Sequence, residues 1–273
     1  MEKIPFEEDD EAYEARDIIG PRDICQNEWL RRKLGDQVEW GTPVPMDVFV
    51  MGDGEPEDRT CTKIGGLPYL SKTDPWPLSD SGKPLQFVGQ FNFCDSRDIA
   101  EDIDGDILLV FSGEGDGCYE DTFCLWKDED IASEDLVDST PEFEFPIKPT
   151  HGYRVRVNAF PDAEFKKTDE DGAPLIDGKP IRSDYWLKEY QATQIGSAPF
   201  NPQGHYAEEE TEFLCAFASI LQGWRAEGVS YPWVNVEQPA EDFSEDYLMI
   251  GDMGCLFLAY DDDGELGALN ECY

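Results

Sequence analysis

Apolar and polar residues alternate with a period of two along several short stretches, the pattern of half-buried β-strands. The clearest run is residues 85–92 (LQFVGQFN), which follows Pro84. Continuous apolar runs such as 107–111 (ILLVF) are typical of more deeply buried strands. Between residues 46 and 157, the predicted strands are 46–51, 85–92, 107–111, 122–126, 142–145 and 153–157. Residues 122–126 are predicted to return as a hairpin partner of 107–111, and the alternation at 142–145 and 153–157 favours antiparallel pairing.

Two stretches carry helix signals. Pro21 opens the first and Gly35 closes it, which is the usual placement of proline in the first turn and glycine just past the end. Residues 184–193 form a second, shorter candidate. With these helices the predicted class is α+β: predominantly antiparallel β, in two related β-rich halves, with a few packed helices.

A tight bend and a rigid corner precede the run at 85–92. Gly65 and Gly66 permit positive φ angles, and Pro68 fixes the backbone that follows them. Trp76-Pro77 forms the second corner. No nucleophile, base or metal ligand clusters in this segment, so its pattern indicates a fold rather than a reaction.

The motif Ile64-Gly65-Gly66-Leu67-Pro68 recurs as Ile195-Gly196-Ser197-Ala198-Pro199. An apolar run follows each copy, at 87–91 and at 213–217, and each copy then reaches a glycine-led strand, at 105–111 and at 254–260. A sequence offset near 130 predicts duplication of one β-rich unit, with chance similarity of Gly- and Pro-rich turns as the alternative.

These features divide the chain into four parts that form one compact domain. We predict an N-terminal helical or extended segment packing on the core, a first β-rich half, a connection and a second β-rich half. Their limits are residues 1–60, 61–160, 161–192 and 193–273. The connection contains a polar, Gly- and Pro-rich stretch at 161–182, which favours an exposed segment.

The net charge of the protein indicates which classes of partner it could bind. The 273 residues carry a formal net charge of −40, and 40% of them are hydrophobic, enough for a substantial core. Direct binding to nucleic acid is disfavoured because the phosphate backbone would be repelled, whereas a basic protein would be attracted. The acidic start of the sequence predicts no signal peptide, and no apolar run reaches the roughly 18 residues of a membrane span. A cytoplasmic protein is expected.

Candidate chemistry is sparse. The eight cysteines form no C-x-x-C pair, and the two histidines, His151 and His205, lie in predicted loops. Acidic clusters at 102–106, 169–171 and 261–263 do not complete a calcium-binding loop. We therefore predict no catalytic residue, no metal site and no cofactor.

Several separated motifs resemble the bacterial YwqG-like family, a domain of unknown function. The matching motifs are K-I-G-G-L-P-x-L at 63–70, W-P at 76–77, K-P-L-Q-F-V-G-Q-F-N at 83–92, G-D-I-L-L-V-F at 105–111 and G-D-M-G-C-L-F at 251–257. The first motif is also similar to that of the eukaryotic programmed cell death protein 2 family, whose members act as chaperones for a ribosomal protein. Those relatives have cysteines where this chain has Ser79-Asp80-Ser81-Gly82, so no metal-ligating role carries over. The resemblance implies a protein-binding or chaperone-like role.

Three functions remain open at this point. The first is a non-enzymatic protein-binding module for a basic client, such as a ribosomal or toxin-like protein. The second is an enzyme using carboxylates or a divalent metal in a cleft between the halves, and the third is an acidic immunity protein or nucleic-acid mimic. The residues predicted to shape a binding cleft are Gly65, Gly66, Pro68, Trp76, Pro77, Gln90, Asp252 and Gly254.

Overall fold

A computed structural model describes residues 34–101, 103–113, 121–170, 172–180, 192–197, 212–219, 247–251 and 254–271. The strands within these ranges are β1 (Val38–Glu39), β2 (Val44–Asp53), β3 (Lys63–Ile64), β4 (Gln86–Asn92), β5 (Ile107–Ser112), β6 (Phe123–Lys127), β7 (Thr150–Ala159), β8 (Glu164–Phe165), β9 (Leu175–Ile176), β10 (Lys179–Pro180), β11 (Gln194–Ile195), β12 (Glu212–Ala218), β13 (Cys255–Tyr260) and β14 (Leu266–Glu271). The helical elements of the same ranges are two 3-10 turns, Gly35–Gln37 and Ser133–Asp135.

Ten of these strands form one antiparallel sheet, in the order β14-β13-β12-β11-β2-β7-β3-β4-β5-β6. Its centre is the ladder between β2 and β7, which runs without a break from Val44 opposite Ala159 to Asp53 opposite Thr150. Two small ribbons, β1 with β8 and β9 with β10, lie outside the sheet. Strands β8, β9 and β10 lie in the stretch 161–182, which was predicted only as an exposed connection.

The strand order is symmetric about the central ladder. Strand β3 pairs with β7 and leads to β4, β5 and β6, whereas β11 pairs with β2 and leads to β12, β13 and β14. Each half has an irregularity at the same place in its second strand, between Phe87 and Gly89 and between Phe213 and Cys215. The two turns also match, because Ser197 has a φ of 64° where Gly66 has 71°.

The strand pairing aligns the two halves differently from the sequence. It shifts the glycine-led strands, 105–111 and 254–260, by one residue relative to their sequence alignment. Val110 lies opposite Gly89, and Leu258 lies opposite Cys215. Val110 therefore corresponds to Leu258, whereas the sequence alignment places it with Ala259. A shift of one residue reverses the face of every side chain in a strand, and the structural register puts Val110 and Leu258 in the same core.

The sheet curls until its two halves meet. Phe91 of β4 stacks on Phe217 of β12 with ring centroids 4.2 Å apart, although four strands separate β4 from β12 in the sheet order. The buried interior between the halves includes Phe49, Phe91, Leu108, Phe217 and Leu256. A second apolar cluster, with Leu85, Phe87 and Phe111, covers the other face of β4 and β5.

The predicted α+β class is wrong, because the described protein is nearly all β. Within the described ranges, loops and 3-10 turns rather than packed helices connect the strands. The helix predicted to begin at Pro21, up to residue 33, and the candidate at 184–191 lie outside the described residues. The predicted strand at 142–145 is also wrong. Pro141, Pro146 and Pro149 leave this segment short of the N–H donors that a ladder requires.

Candidate functional site

A groove of about 200 Å³ opens where the turn after β3 meets the segment before β7. We call residues 138–149 the strap; they have no regular secondary structure and pass over this turn. Apolar side chains predominate in the groove, joined by one amide and one hydroxyl. Its lining residues are Gly66, Leu67, Gln86, Phe87, Thr140, Phe143, Pro146 and Ile147.

The strap approaches the turn so closely that only glycine fits there. Gly65 and Gly66 have φ angles of 64° and 71°, in the left-handed region that side chains disfavour. A Cβ on Gly65 would lie 2.6 Å from the carbonyl oxygen of Ile147, and one on Gly66 would lie 2.8 Å from Cβ of Pro149. The two glycines therefore determine where the strap rests.

Gly65→Ala is expected to destabilise the fold by about 2–3 kcal/mol, since it adds a backbone clash to the left-handed strain. The matched control is Gly82→Ala, because Gly82 has a φ of 77° but nothing lies within 4 Å of an added Cβ. The control should cost only about 1 kcal/mol, the strain alone. Urea unfolding of both variants measures the difference, and equal losses would show that the strap does not press on the turn.

A buried ion pair lies behind the groove. The Lys63 ammonium is fully buried and contacts Oε1 of Glu55, whose side chain is 30% exposed. Oε2 of the same carboxylate accepts a hydrogen bond from the Leu67 N–H at 3.1 Å. Burial lowers the pKa of Lys63, and the Glu55 charge opposes that shift. One carboxylate thus fixes both the lysine and the backbone of the turn.

Gln90 supports the loop before the turn rather than the groove itself. Its amide is fully buried; Oε1 accepts from the Tyr69 N–H at 2.9 Å, and Nε2 donates to the carbonyls of Arg59 and Cys61 at 2.8 and 2.9 Å. In the second half, Ala216 occupies the equivalent place, opposite Gln194. This supporting amide therefore belongs to the first half.

Pro68, Trp76 and Pro77 make hydrogen bonds next to the lining residues in the chain, whereas Gly254 lies in the second half. Trp76 donates from Nε1 to the carbonyl of Leu85 at 2.8 Å, and the carbonyl of Pro77 accepts from the Leu85 N–H at 2.9 Å. The carbonyl of Pro68 accepts from Arg59 at 2.7 Å. Gly254 is buried at the start of β13, and Asp252 lies outside the described residues. Of the predicted residues that the structure describes, Gly66 is the one that lines the groove.

Sequence reasoning missed Gln86 and Phe143, two residues that line the groove. Gln86 is 7% exposed, and its Nε2 donates to the carbonyl of Phe145 at 2.8 Å, which joins β4 to the strap. Phe145 itself is 66% exposed. The available signal was the sequence PEFEFPIKP at 141–149, in which exposed acids separate aromatic residues between prolines.

The surroundings of Asp106, Cys61 and Cys124 account for the shifted pKa values of these side chains. Asp106 accepts from Arg97 at 2.6 Å and from the Glu129 N–H at 3.0 Å, and these hydrogen bonds hold its pKa below the ordinary value. Burial raises the pKa of the Cys61 and Cys124 thiols to about 12, so both stay protonated. Within the described residues, no three His, Cys, Asp or Glu side chains converge as metal ligands.

The sequence model of the family described as Domain of unknown function (DUF1963) matches residues 62–258. The chain belongs to this family. The matched range contains both motif turns, the strap and every residue that lines the groove. The finer resemblances, to the YwqG-like and programmed cell death protein 2 families, stay predictions.

No curated protein matches the chain. Among the described residues, no helix has the length and apolar character needed to cross a bilayer.

Proposed function

We propose that the protein is a non-enzymatic protein-binding module whose groove receives a side chain of a basic partner. The observation that carries the proposal is the composition of the strap at the groove. Phe143 lines the groove, Phe145 is 66% exposed beside it, and Glu142 and Glu144 are exposed on either side of Phe143 in the chain. Aromatic anchors next to carboxylates suit a cationic, partly apolar ligand.

The size of the groove supports a side chain rather than a larger ligand. Sites for drug-sized molecules enclose about 300–1,000 Å³. This groove, at about 200 Å³, is smaller. We therefore expect the groove to receive one side chain rather than a whole small-molecule ligand.

The net charge of −40 supports a basic partner. Opposite charge accelerates encounter and makes the affinity depend on salt. A chaperone-like role follows from the same features, because an acidic protein that covers a basic client, ribosomal or toxin-like, would keep it from nucleic acid. The exposed acids of the strap would then contribute to attraction, and the groove would hold one anchoring side chain.

The test is a fluorescence-anisotropy titration with a labelled Lys- and Arg-rich peptide. The wild type should bind, and the affinity should fall as NaCl is raised from 20 to about 300 mM. Phe143→Ala should weaken binding about 10-fold or more, as expected for an aromatic anchor. Leu78→Ala is the control, because Leu78 is an apolar side chain that is 57% exposed and does not line the groove. Equal affinity for Phe143→Ala and wild type would overturn the proposal.

A further inference from the structure

We infer that arginine is the side chain that the groove selects. This inference rests on the proposed function and deepens it, because it names the chemical group that a basic partner must present. Three features of the groove carry it: its aromatic and aliphatic walls, the amide of Gln86, and the carboxylates on the strap.

The walls suit the stem and the plane of an arginine side chain. Leu67, Pro146 and Ile147 offer aliphatic surface, and Phe87 and Phe143 offer aromatic surface. A guanidinium is planar, weakly hydrated and stacks on aromatic rings, whereas an ammonium is a compact and strongly hydrated charge. An apolar groove therefore accepts the guanidinium at a lower desolvation cost.

Gln86 supplies a neutral acceptor in the groove. Its Nε2 donates to the carbonyl of Phe145 at 2.8 Å, and this bond fixes the orientation of the amide. Oε1 has no hydrogen-bond donor among the residues that the structure describes, and Gln86 lines the groove. The Thr140 hydroxyl lines it as well. The five N–H donors of a guanidinium can satisfy both oxygens. The exposed Glu142 and Glu144, which flank Phe143 in the chain, add negative charge that attracts a cation.

A purely apolar anchor fits this groove less well. A leucine or phenylalanine side chain would displace the water around Gln86 and leave its Oε1 without a donor, which is unfavourable for a buried carbonyl oxygen. It would also gain nothing from the negative charge of the exposed Glu142 and Glu144. The combination of aromatic wall, neutral acceptor and acids that flank Phe143 in the chain favours arginine over both lysine and leucine.

Three peptides of the same basic sequence, differing at one central position, test the inference. Arginine at that position should bind wild-type protein about 10-fold more tightly than lysine, and leucine should bind no better than lysine. In Gln86→Leu, which keeps similar volume and removes the acceptor, the preference for arginine over lysine should fall to about twofold. Because Gln86 is buried, Phe143→Leu at a half-buried position provides a second variant, with the same expected loss of preference.

The outcomes separate this inference from the function on which it rests. Equal affinity of wild type for arginine and lysine peptides, with both weakened by Phe143→Ala, would overturn the arginine inference and leave the proposed function standing. Tightest binding of the leucine peptide would also overturn it. An arginine preference unchanged in both Gln86→Leu and Phe143→Leu would place the selective contact elsewhere. Failure of all three peptides to bind would overturn both proposals.

Discussion

Replacing Asp47 by alanine is expected to destabilise the fold by about 3 kcal/mol and to lower its melting temperature by about 6–12 °C. Asp47 is fully buried on β2, and its Oδ1 accepts from Arg156 Nε at 2.5 Å. Its Oδ2 accepts from the Ser96 hydroxyl at 2.6 Å and lies 3.4 Å from Arg154. The variant would leave two arginines and a loop hydroxyl without their common acceptor. Because both arginines are about one third exposed, we expect the lower end of the range for broken buried pairs.

Asp98→Ala provides the matched control for this prediction. Asp98 binds the same Arg156 side chain, but its own side chain is 62% exposed. Exposed ion pairs contribute little to stability, so the control should melt close to the wild type. Thermal unfolding followed by circular dichroism measures both. A loss in Asp98→Ala as large as that in Asp47→Ala would show that burial of the carboxylate is not the cause.

The second large effect concerns the ion pair behind the groove. Glu55→Ala is expected to cost about 2–3 kcal/mol, since it leaves the fully buried Lys63 amine without its carboxylate and the Leu67 N–H without its acceptor. Adding Lys63→Met should recover most of the loss, because an apolar side chain can replace a buried charge at little cost. Urea unfolding of both single variants and the double variant completes the cycle. Additive losses would contradict the account.

The effect of Glu55→Ala should also depend on pH. Burial lowers the pKa of Lys63 in the folded state, so protonation below the unfolded value of about 10.4 opposes folding. This unfavourable contribution decreases as the pH rises toward the unfolded pKa and disappears above it, where the amine is neutral in both states. The stability difference between Glu55→Ala and wild type should therefore shrink between pH 7 and about pH 10.

The sequence predicted most of the strands of five or more residues, because their burial pattern is local. Residues 46–51, 85–92, 107–111 and 153–157 all fall within observed strands or within one residue of them. The strand at 142–145 was predicted from the same alternation and is wrong, because its prolines leave it outside the ladder. Alternating polarity indicates which side chains would face the core of a sheet. A ladder also requires backbone N–H donors, which proline lacks.

The groove was predicted only in part. The glycines at 65 and 66 carry a local signal, since their neighbours require a tight turn. Gln86 has no such local signal, because it occupies an ordinary polar position in an alternating strand. Its partner, the carbonyl of Phe145, is 59 residues away in the sequence. A site made by contact between distant segments depends on the tertiary fold, which a periodic pattern does not specify.

Hydrogen exchange with and without a basic, arginine-containing peptide tests the central claim most directly, because it shows where a partner binds. We expect slower exchange in the strap, residues 138–149, and in the turn at 65–67, with no change in the loop at 78–83, whose exposed Leu78 does not line the groove. Phe143→Ala should remove the protection of the strap. Protection confined to other segments, or protection of the strap that persists in Phe143→Ala, would contradict binding at the groove.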